Sequence, residues 1–372
     1  MKVVVLIGGE GTRLRPLTYS TPKQLLPVAG LAMLERVLGR LSGGPAVDEA
    51  VLSMGYRPDA FKRAYPDSCV AGLAVQYAVE PEPLDTAGAI RFAAAEAGVN
   101  ETFAVLNGDV ITDGDLAGLV DFHRERGAMA TIGLVPVDDP SRFGVVDCDA
   151  TGRVRRFVEK PPPGTAPANL INGGTYAMEP EVLDLIRPGV RVSVEREVFP
   201  ELVARGSLFA LPTPGYWVDA GTPEAYLRAN LDCLDAFMQG CATAESRIFM
   251  LPPGARSVAE GVWATGDVRI EGDVAAPALL MDGSVVGKGA VVKESVVGRG
   301  CTLVAGAAVR RSVLMDGVMV AAGATIDEAI VSGSSEVRAG ATVAGLAIVG
   351  PGEVVEEGAK VTGQGNAGEI GR

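Results

Sequence analysis

The sequence predicts an α/β domain built on a mainly parallel mixed sheet, followed by a left-handed parallel β-helix of hexapeptide repeats. Three observations lead there. Short β-branched runs alternate with helical patterns up to about residue 135. The texture changes after about residue 260 to valine-rich pieces punctuated by glycine and alanine. In that second part, apolar residues recur every six positions.

Taken in order, "KVVVLI", "EAVLS", "LAVQYAVE" and "TFAVLNGDV" read as strands, and "TAGAIRFAAAEAG" reads as a helix. Leu31, Leu34, Val37, Leu38 and Leu41 fall at helical spacing. Such a βαβα rhythm places helices on both faces of the sheet and ligands beyond the carboxyl ends of its strands. From "RVRRFVEKP" to "YWVDAG" the pattern loosens into further strands. "TPEAYLRANLDCLDAFM" is then a helix with Thr222 as cap and Pro223 at its first position. The expected division is a first domain over 1–238, a connector over 239–260 and the β-helix over 261–372.

The six-residue period occupies Val285, Val291, Val297, Leu303 and Val309, then Leu314, Val320 and Ile326, then Val337, Val343, Val349, Val355 and Val361, each run in its own phase. Three hexapeptides would complete each coil. Stacked coils present flat faces suited to a homo-oligomer.

Composition narrows the chemistry. A chain of 372 residues with 48% hydrophobic content is long enough for two cores. Its formal charge of −13 argues against nucleic acid, whose binding draws on clustered Lys and Arg. Met1 runs straight into a strand with no leader-like segment, and no apolar stretch approaches membrane-spanning length, so the expectation is a cytoplasmic protein without a membrane partner. Five scattered cysteines, never in a CxxC arrangement, suit neither a disulfide framework nor a zinc site and are expected reduced and mostly buried. The one histidine, His123, lies in the polar stretch "LVDFHRERG" and is expected at the surface.

The stretch "VLIGGEGTRLRPLTYSTPKQLLPV" carries the main chemical signal. It lacks the Lys-Ser/Thr ending of a P-loop and the third glycine of a dinucleotide fingerprint. Gly8, Gly9 and Gly11 nevertheless let backbone N–H groups approach a ligand, and Arg13 and Lys23 can set charge against phosphate oxygens. Pro22 and Pro27 stiffen the segment that presents Lys23.

This string resembles the signature of the sugar-1-phosphate nucleotidylyltransferases. "EPLDTAGAI", "LNGDV", "FVEKP", "INGGTY" and "YWVDAGTPEAYL" follow in the family's order over roughly residues 1–237. The resemblance implies a Rossmann-like nucleotidyltransferase domain that joins a nucleoside triphosphate to a sugar 1-phosphate and releases pyrophosphate. It implies Mg²⁺ held by Asp109 and Asp219, whose hard oxygens suit that ion. Arg13 would grip the leaving pyrophosphate, Lys23 the α-phosphate, and Lys160 the incoming sugar phosphate.

The nucleotide is then expected at Gly8, Gly9, Gly11, Thr12, Arg13, Lys23, Glu80, Gly88 and Gly108. The sugar phosphate is expected at Glu159, Lys160, Asn172, Gly174 and Glu195. Glu159 and Lys160 are adjacent, so both can serve one ligand only at a strand end or bulge, which Pro161 favours.

Within the family, Glu80 and Glu82 without a glutamine, "VDDPSRFGVV" and "VSVEREVFP" look most like the GDP-mannose pyrophosphorylase branch, which implies GTP and mannose 1-phosphate. Gln24 in "PKQLLPV" points instead to the thymidylyltransferases, and Asp85 stands where the "PLGTAG" pattern has glycine. A catalytically silent, NDP-sugar-binding homologue is the competing class, but it would be expected to lose charged groups that are all kept here. Acyl transfer by the tail is disfavoured, because residues 240–372 hold no histidine to act as base.

Overall fold

A computed structural model describes residues 1–41, 47–241 and 247–363. The middle of the expected connector (242–246) and the end of the expected tail (364–372) lie outside the described residues. The chain forms two compact units that do not follow chain order: Met1–Gly9 with Val37–Val218, and Glu10–Arg36 with Asp219–Arg372.

The first unit contains β1 (Lys2–Leu6), β2 (Glu49–Met54), β3 (Leu73–Val79), α1 (Asp85–Glu96), β4 (Phe103–Asn107), β5 (Val110–Thr112), α2 (Leu116–Arg126), β6 (Ala130–Pro136), β7 (Gly144–Cys148), β8 (Val154–Glu159), β9 (Leu170–Met178) and β10 (Leu208–Pro212). The main sheet runs β8-β7-β9-β4-β1-β2-β3, and β6 pairs with both β9 and β10. The strands β4, β1, β2 and β3 are parallel, as the βαβ rhythm requires. β9 enters antiparallel to β4, which makes the sheet mixed.

Valine runs at Val3–Val5 and Ala50–Leu52 are wholly buried, as expected of strands covered on both faces. α1 lays Ala87, Ile90 and Ala93 on Val4, Val51 and Val105, and its small side chains let it lie close to the sheet.

In the second unit α3 (Pro223–Met238) starts as the sequence predicts: the Thr222 hydroxyl accepts from the Ala225 N–H at 3.3 Å, and Pro223 occupies the first turn. Its last turn stacks Phe237 edge-on against Trp263 of the first β-helix coil, ring centres 5.5 Å apart.

Beyond it, parallel ladders join residues one coil apart. Thr302 pairs with Val285 and with Met319, and Ala308 with Val291 and Thr325, all 17 residues apart. The inward series is Val286, Val292, Val297, Leu303, Val309, Leu314, Val320, Ile326, Val331 and Val337, which keeps the expected runs from Val297 onward and corrects the phase before it. Five-residue steps interrupt the hexads at 292–297, 309–314 and 326–331. Val285 and Val291, expected inward, are only half-buried.

The cause is a corner residue in the left-handed region in each short step: Glu294 (φ 48°), Arg311 (φ 44°) and Glu328 (φ 49°). Such a residue turns the chain in one position fewer. Buried serines brace these corners: Ser295 Oγ accepts from the Ser312 N–H at 3.2 Å and Ser312 Oγ from the Ala329 N–H at 3.1 Å, so each coil satisfies the next.

Two further expectations are corrected. His123 is fully buried, because Leu116, Leu119, Val120 and His123 share one face of α2. Its Nδ1 lies 2.8 Å from Thr131 Oγ1 and its Nε2 3.0 Å from Glu179 Oε1, so the ring is satisfied inside the core. Of the five free cysteines only Cys233 and Cys301 are buried. Cys148 and Cys241 are half-buried and Cys69 is exposed at a short edge strand.

Candidate active site

In the first unit the candidate residues lie where the parallel strands end. Gly8 and Gly9 follow β1, and a methyl group at Gly8 would press to 3.3 Å on both Glu80 Oε1 and the Gly55 nitrogen. Glu80 closes β3, but its carboxylate is engaged within the fold: Oε1 accepts from the Ser53 hydroxyl and Oε2 from the Leu84 N–H, both at 3.1 Å. Gly88 is buried in α1 with its N–H donated to the Val192 carbonyl at 3.2 Å, and a side chain there would strike Leu84 and Val190. Both residues therefore shape the loop 81–88 from behind.

Asp85 explains the glycine pattern it departs from. Its φ of 61° lies in the left-handed region, where glycine is at ease and aspartate is tolerated through local hydrogen bonding. Its Oδ1 accepts from the Thr86 N–H at 2.8 Å, and the side chain is exposed.

Gly108 is required by contact rather than by φ. A methyl group there would come within 2.4 Å of Ile7 Cγ2 and 2.9 Å of the Leu6 carbonyl oxygen, while its N–H donates to that carbonyl at 3.0 Å. This seats the turn against the end of β1 and leaves Asp109 half-buried between β4 and β5.

The sugar-side candidates gather around a residue the sequence reading did not assign, Tyr176 on β9. Its ring is buried against Phe199, and its hydroxyl accepts from Asn172 Nδ2 at 2.9 Å. Burial pushes the phenol pKa up, and the negative charges of Glu195, Glu159 and Asp109 push it the same way, against the hydrogen bond from Asn172. A tyrosine four residues after an asparagine, with "GG" between, was the available signal for an interrupted strand.

The ladder between β9 and β6 shifts register between Asn172 and Tyr176, and Gly174 (φ 72°) occupies the bulge. Asn172 Oδ1 accepts from the Gly174 N–H at 3.0 Å, Trp217 Nε1 donates to the Gly173 carbonyl at 3.0 Å, and a side chain at Gly174 would collide with Asn107.

Glu159 and Lys160 meet the strand-end expectation: β8 stops at Glu159, and Lys160 turns with φ 48°. Lys160 Nζ then lies 3.1 Å from Glu159 Oε1 with the lysine largely exposed, so two adjacent side chains share one side. Glu195 sits in a π-helical turn, Val194–Val198, that the sequence did not predict. Its Oε2 accepts from the hydroxyls of Thr86 and Ser193, each at 2.8 Å.

In the second unit the signature loop forms three single-turn helices, Thr12–Leu14, Leu17–Tyr19 and Lys23–Leu25. Gly11 (φ 66°) packs against Thr18 and Lys23, and its carbonyl accepts from the Thr18 hydroxyl at 2.8 Å. Buried Leu14, Leu17 and Leu26 anchor the loop while Thr12 and Arg13 are exposed and Lys23 is half-buried. Asp219 Oδ1 accepts from the Gly221 N–H at 3.0 Å. A methyl group at Gly221 would come within 2.8 Å of that same oxygen and 2.9 Å of Arg13 Nη2, so a bare glycine lets Arg13 and Asp219 approach each other.

The nucleotidyl transferase family model matches residues 2–236, and the GMPPB C-terminal domain model matches residues 274–365. The mannose-1-phosphate guanylyltransferase of Mycobacterium tuberculosis is 39% identical over 286 residues, covering 76% of this chain and 79% of that one. Mannose-1-phosphate guanylyltransferase 1 of Arabidopsis thaliana is 41% identical over 243 residues, covering 63% and 66%. Among solved structures, HddC from Yersinia pseudotuberculosis superposes with a TM-score of 0.54 at 30% identity, covering 62% of this chain and 98% of that one. The same protein complexed with GMP-PN matches with a TM-score of 0.53.

Proposed function

The chain belongs to the nucleotidyl transferase family, and from that premise we propose that it joins GTP to mannose 1-phosphate, giving GDP-mannose and pyrophosphate. The observation that carries the sugar side is irregular backbone presenting an amide, a carboxylate and a lysine: Asn172 oriented by the buried Tyr176 hydroxyl at the β9 bulge, and Glu159 paired with Lys160 at the end of β8. Carboxylates and an amide together offer acceptors and a donor to the hydroxyls of a hexose, and Lys160 offers a point charge to its phosphate. Gln24, which pointed to thymine nucleotides, is 1% exposed and so is not presented to a base.

A sugar-phosphate oxygen attacks the α-phosphorus of the triphosphate, and the bond from that phosphorus to the oxygen bridging to the β-phosphate breaks. Both reactants are anions, so the protein's task is alignment and charge neutralisation. Lys160 holds the attacking phosphate, Glu159, Asn172 and Glu195 orient the sugar, Lys23 stabilises charge at the α-phosphate, and Arg13 receives pyrophosphate. Gly8, Gly9, Gly11, Thr12 and Gly108 offer backbone to the nucleotide, with Glu80 and Gly88 supporting it through the loop 81–88.

Asp109 and Asp219 are each proposed as a carboxylate ligand of Mg²⁺. Among the described residues no group of three or more His, Cys, Asp or Glu side chains is placed to hold a metal, so phosphate oxygens and water would complete the shell. A bound Mg²⁺ would neutralise part of the triphosphate charge.

The tail exposes the apolar side chains Val304, Met319 and Val354, which supports self-association of the tail. The cytoplasm, where nucleoside triphosphates are held, is the compartment this reading proposes. Among the described residues no helix is long and apolar enough to cross a membrane.

The test is pyrophosphate release with Mg²⁺ and each of GTP, dTTP, UTP and ATP against mannose and glucose 1-phosphates. GTP with mannose 1-phosphate should be fastest; dTTP with glucose 1-phosphate in first place would replace the reading by the thymidylyl one.

A further inference from the structure

Arg36 is fully buried, and four backbone carbonyls accept from its guanidinium. Nε donates to Val28 at 2.7 Å and Nη2 to Ala29 at 3.0 Å, closing the turn that follows the signature loop. Nη1 reaches in the other direction, to Ile248 at 2.5 Å and Met250 at 3.3 Å, on the chain that enters the β-helix. One planar fork thus ties the base of the loop carrying Arg13 and Lys23 to the entrance of the tail.

Independent contacts reinforce the tie. Asn230 Oδ1 on α3 accepts from the Ala29 N–H at 2.7 Å, and the Tyr226 hydroxyl donates to the Pro27 carbonyl. Gly30 (φ 81°) faces the tail so closely that a methyl group would come within 2.6 Å of Pro252 Cγ and 3.0 Å of Met281 Sδ. Farther along the loop, a methyl group at Gly350 in the last coil would sit 3.0 Å from Pro16 Cγ. The loop therefore rests on the tail at both of its ends, and Arg36 is the polar joint.

We propose that Arg36 is a positioning residue for Arg13 and Lys23, through which the seating of the β-helix sets the geometry offered to the triphosphate. The inference rests on the reading of Arg13 and Lys23 as phosphate ligands. Displacement of such groups by about 1 Å can cost on the order of 100-fold in rate. The sugar-side residues Glu159, Lys160, Asn172 and Glu195 belong to the other compact unit and have no part in this joint.

Arg36→Lys keeps a charge but loses the fork, Gly30→Ala disturbs the same turn from within, and Met281→Ala disturbs it from the tail. Folding is checked by thermal melting, and calorimetry measures GTP and mannose 1-phosphate binding separately from kinetics. The expected result is a loss of about 10-fold or more in kcat with weakened GTP binding in Arg36→Lys, a smaller loss of the same kind in the other two, and mannose 1-phosphate binding within about two-fold of the parent. Should Arg36→Lys not fold, the other two variants carry the test. Unchanged kcat and GTP binding in the folded variants would overturn the inference, as would equal weakening of both ligands, the mark of a merely structural role. Failure of the parent protein to transfer any nucleotide, with the selective loss of GTP binding still seen, would count against the proposed function and not against the joint.

Discussion

Asn172 Nδ2 donates to the Tyr176 hydroxyl at 2.9 Å across a bulge in β9, so the asparagine's orientation is fixed by a buried phenol. The phenol cannot readily ionise there, since burial and the carboxylates of Glu195, Glu159 and Asp109 all favour its protonated form. Tyr176 is thus a fixed neutral group that orients Asn172. Tyr176→Phe should raise the KM for mannose 1-phosphate by about 10-fold, the scale of one hydrogen bond, with kcat changed by only about two-fold. Steady-state kinetics with sugar phosphate varied will show it; an unchanged KM would mean that Asn172 needs no such anchor.

Asp109→Asn and Asp219→Asn keep size and lose a charged oxygen ligand. Each should lower turnover at least ~100-fold at ordinary Mg²⁺, and chelation should abolish activity in the parent protein. Full activity in either variant removes that residue from the metal assignment.

Lys23 and Lys160 should fail in different ways. Lys23→Met should chiefly depress kcat, because its charge is needed as the α-phosphate reorganises. Lys160→Met should chiefly raise the KM for sugar 1-phosphate. Varying each substrate in turn decides the matter, and a reversed pattern would exchange the two roles.

The buried imidazole of His123 gives a pH test. Burial lowers its pKa, with Glu179 opposing through its hydrogen bond and charge. The unfolded chain then binds the proton first, so stability should be fully present above the ordinary histidine value of about 6.5 and decline as pH falls below it. His123 is the only histidine, so one imidazole resonance in an NMR titration reports the site, with an expected midpoint below about 6.5. A midpoint above that value would show that the Glu179 charge dominates.

Local pattern was enough for much of the molecule. Alternating valine runs and helical periods gave the parallel strands, the Thr222–Pro223 start and the hexapeptide tail, because burying one face is a demand each segment expresses in its own residues. The resemblance of the quoted motifs, rather than local pattern, put forward Arg13, Lys23, Asp109 and Lys160 as candidates. Adjacency plus Pro161 was sufficient to foresee a strand end at Glu159.

Other features depended on contacts between residues far apart in the chain. That Tyr176 is buried against Phe199, that Glu80 is engaged by Ser53 and Leu84, and that polar His123 belongs in the core all follow from partners contributed by other elements. The phase shift of the β-helix at 292–297 needed the left-handed corner at Glu294, a backbone state that its side chain does not advertise. Arg36 left no trace at all in the sequence reading, since its partners are main-chain carbonyls, a group every residue carries. Periodicity determines which side chains are buried; only the tertiary structure decides which carbonyls and carboxylates a buried polar group will meet.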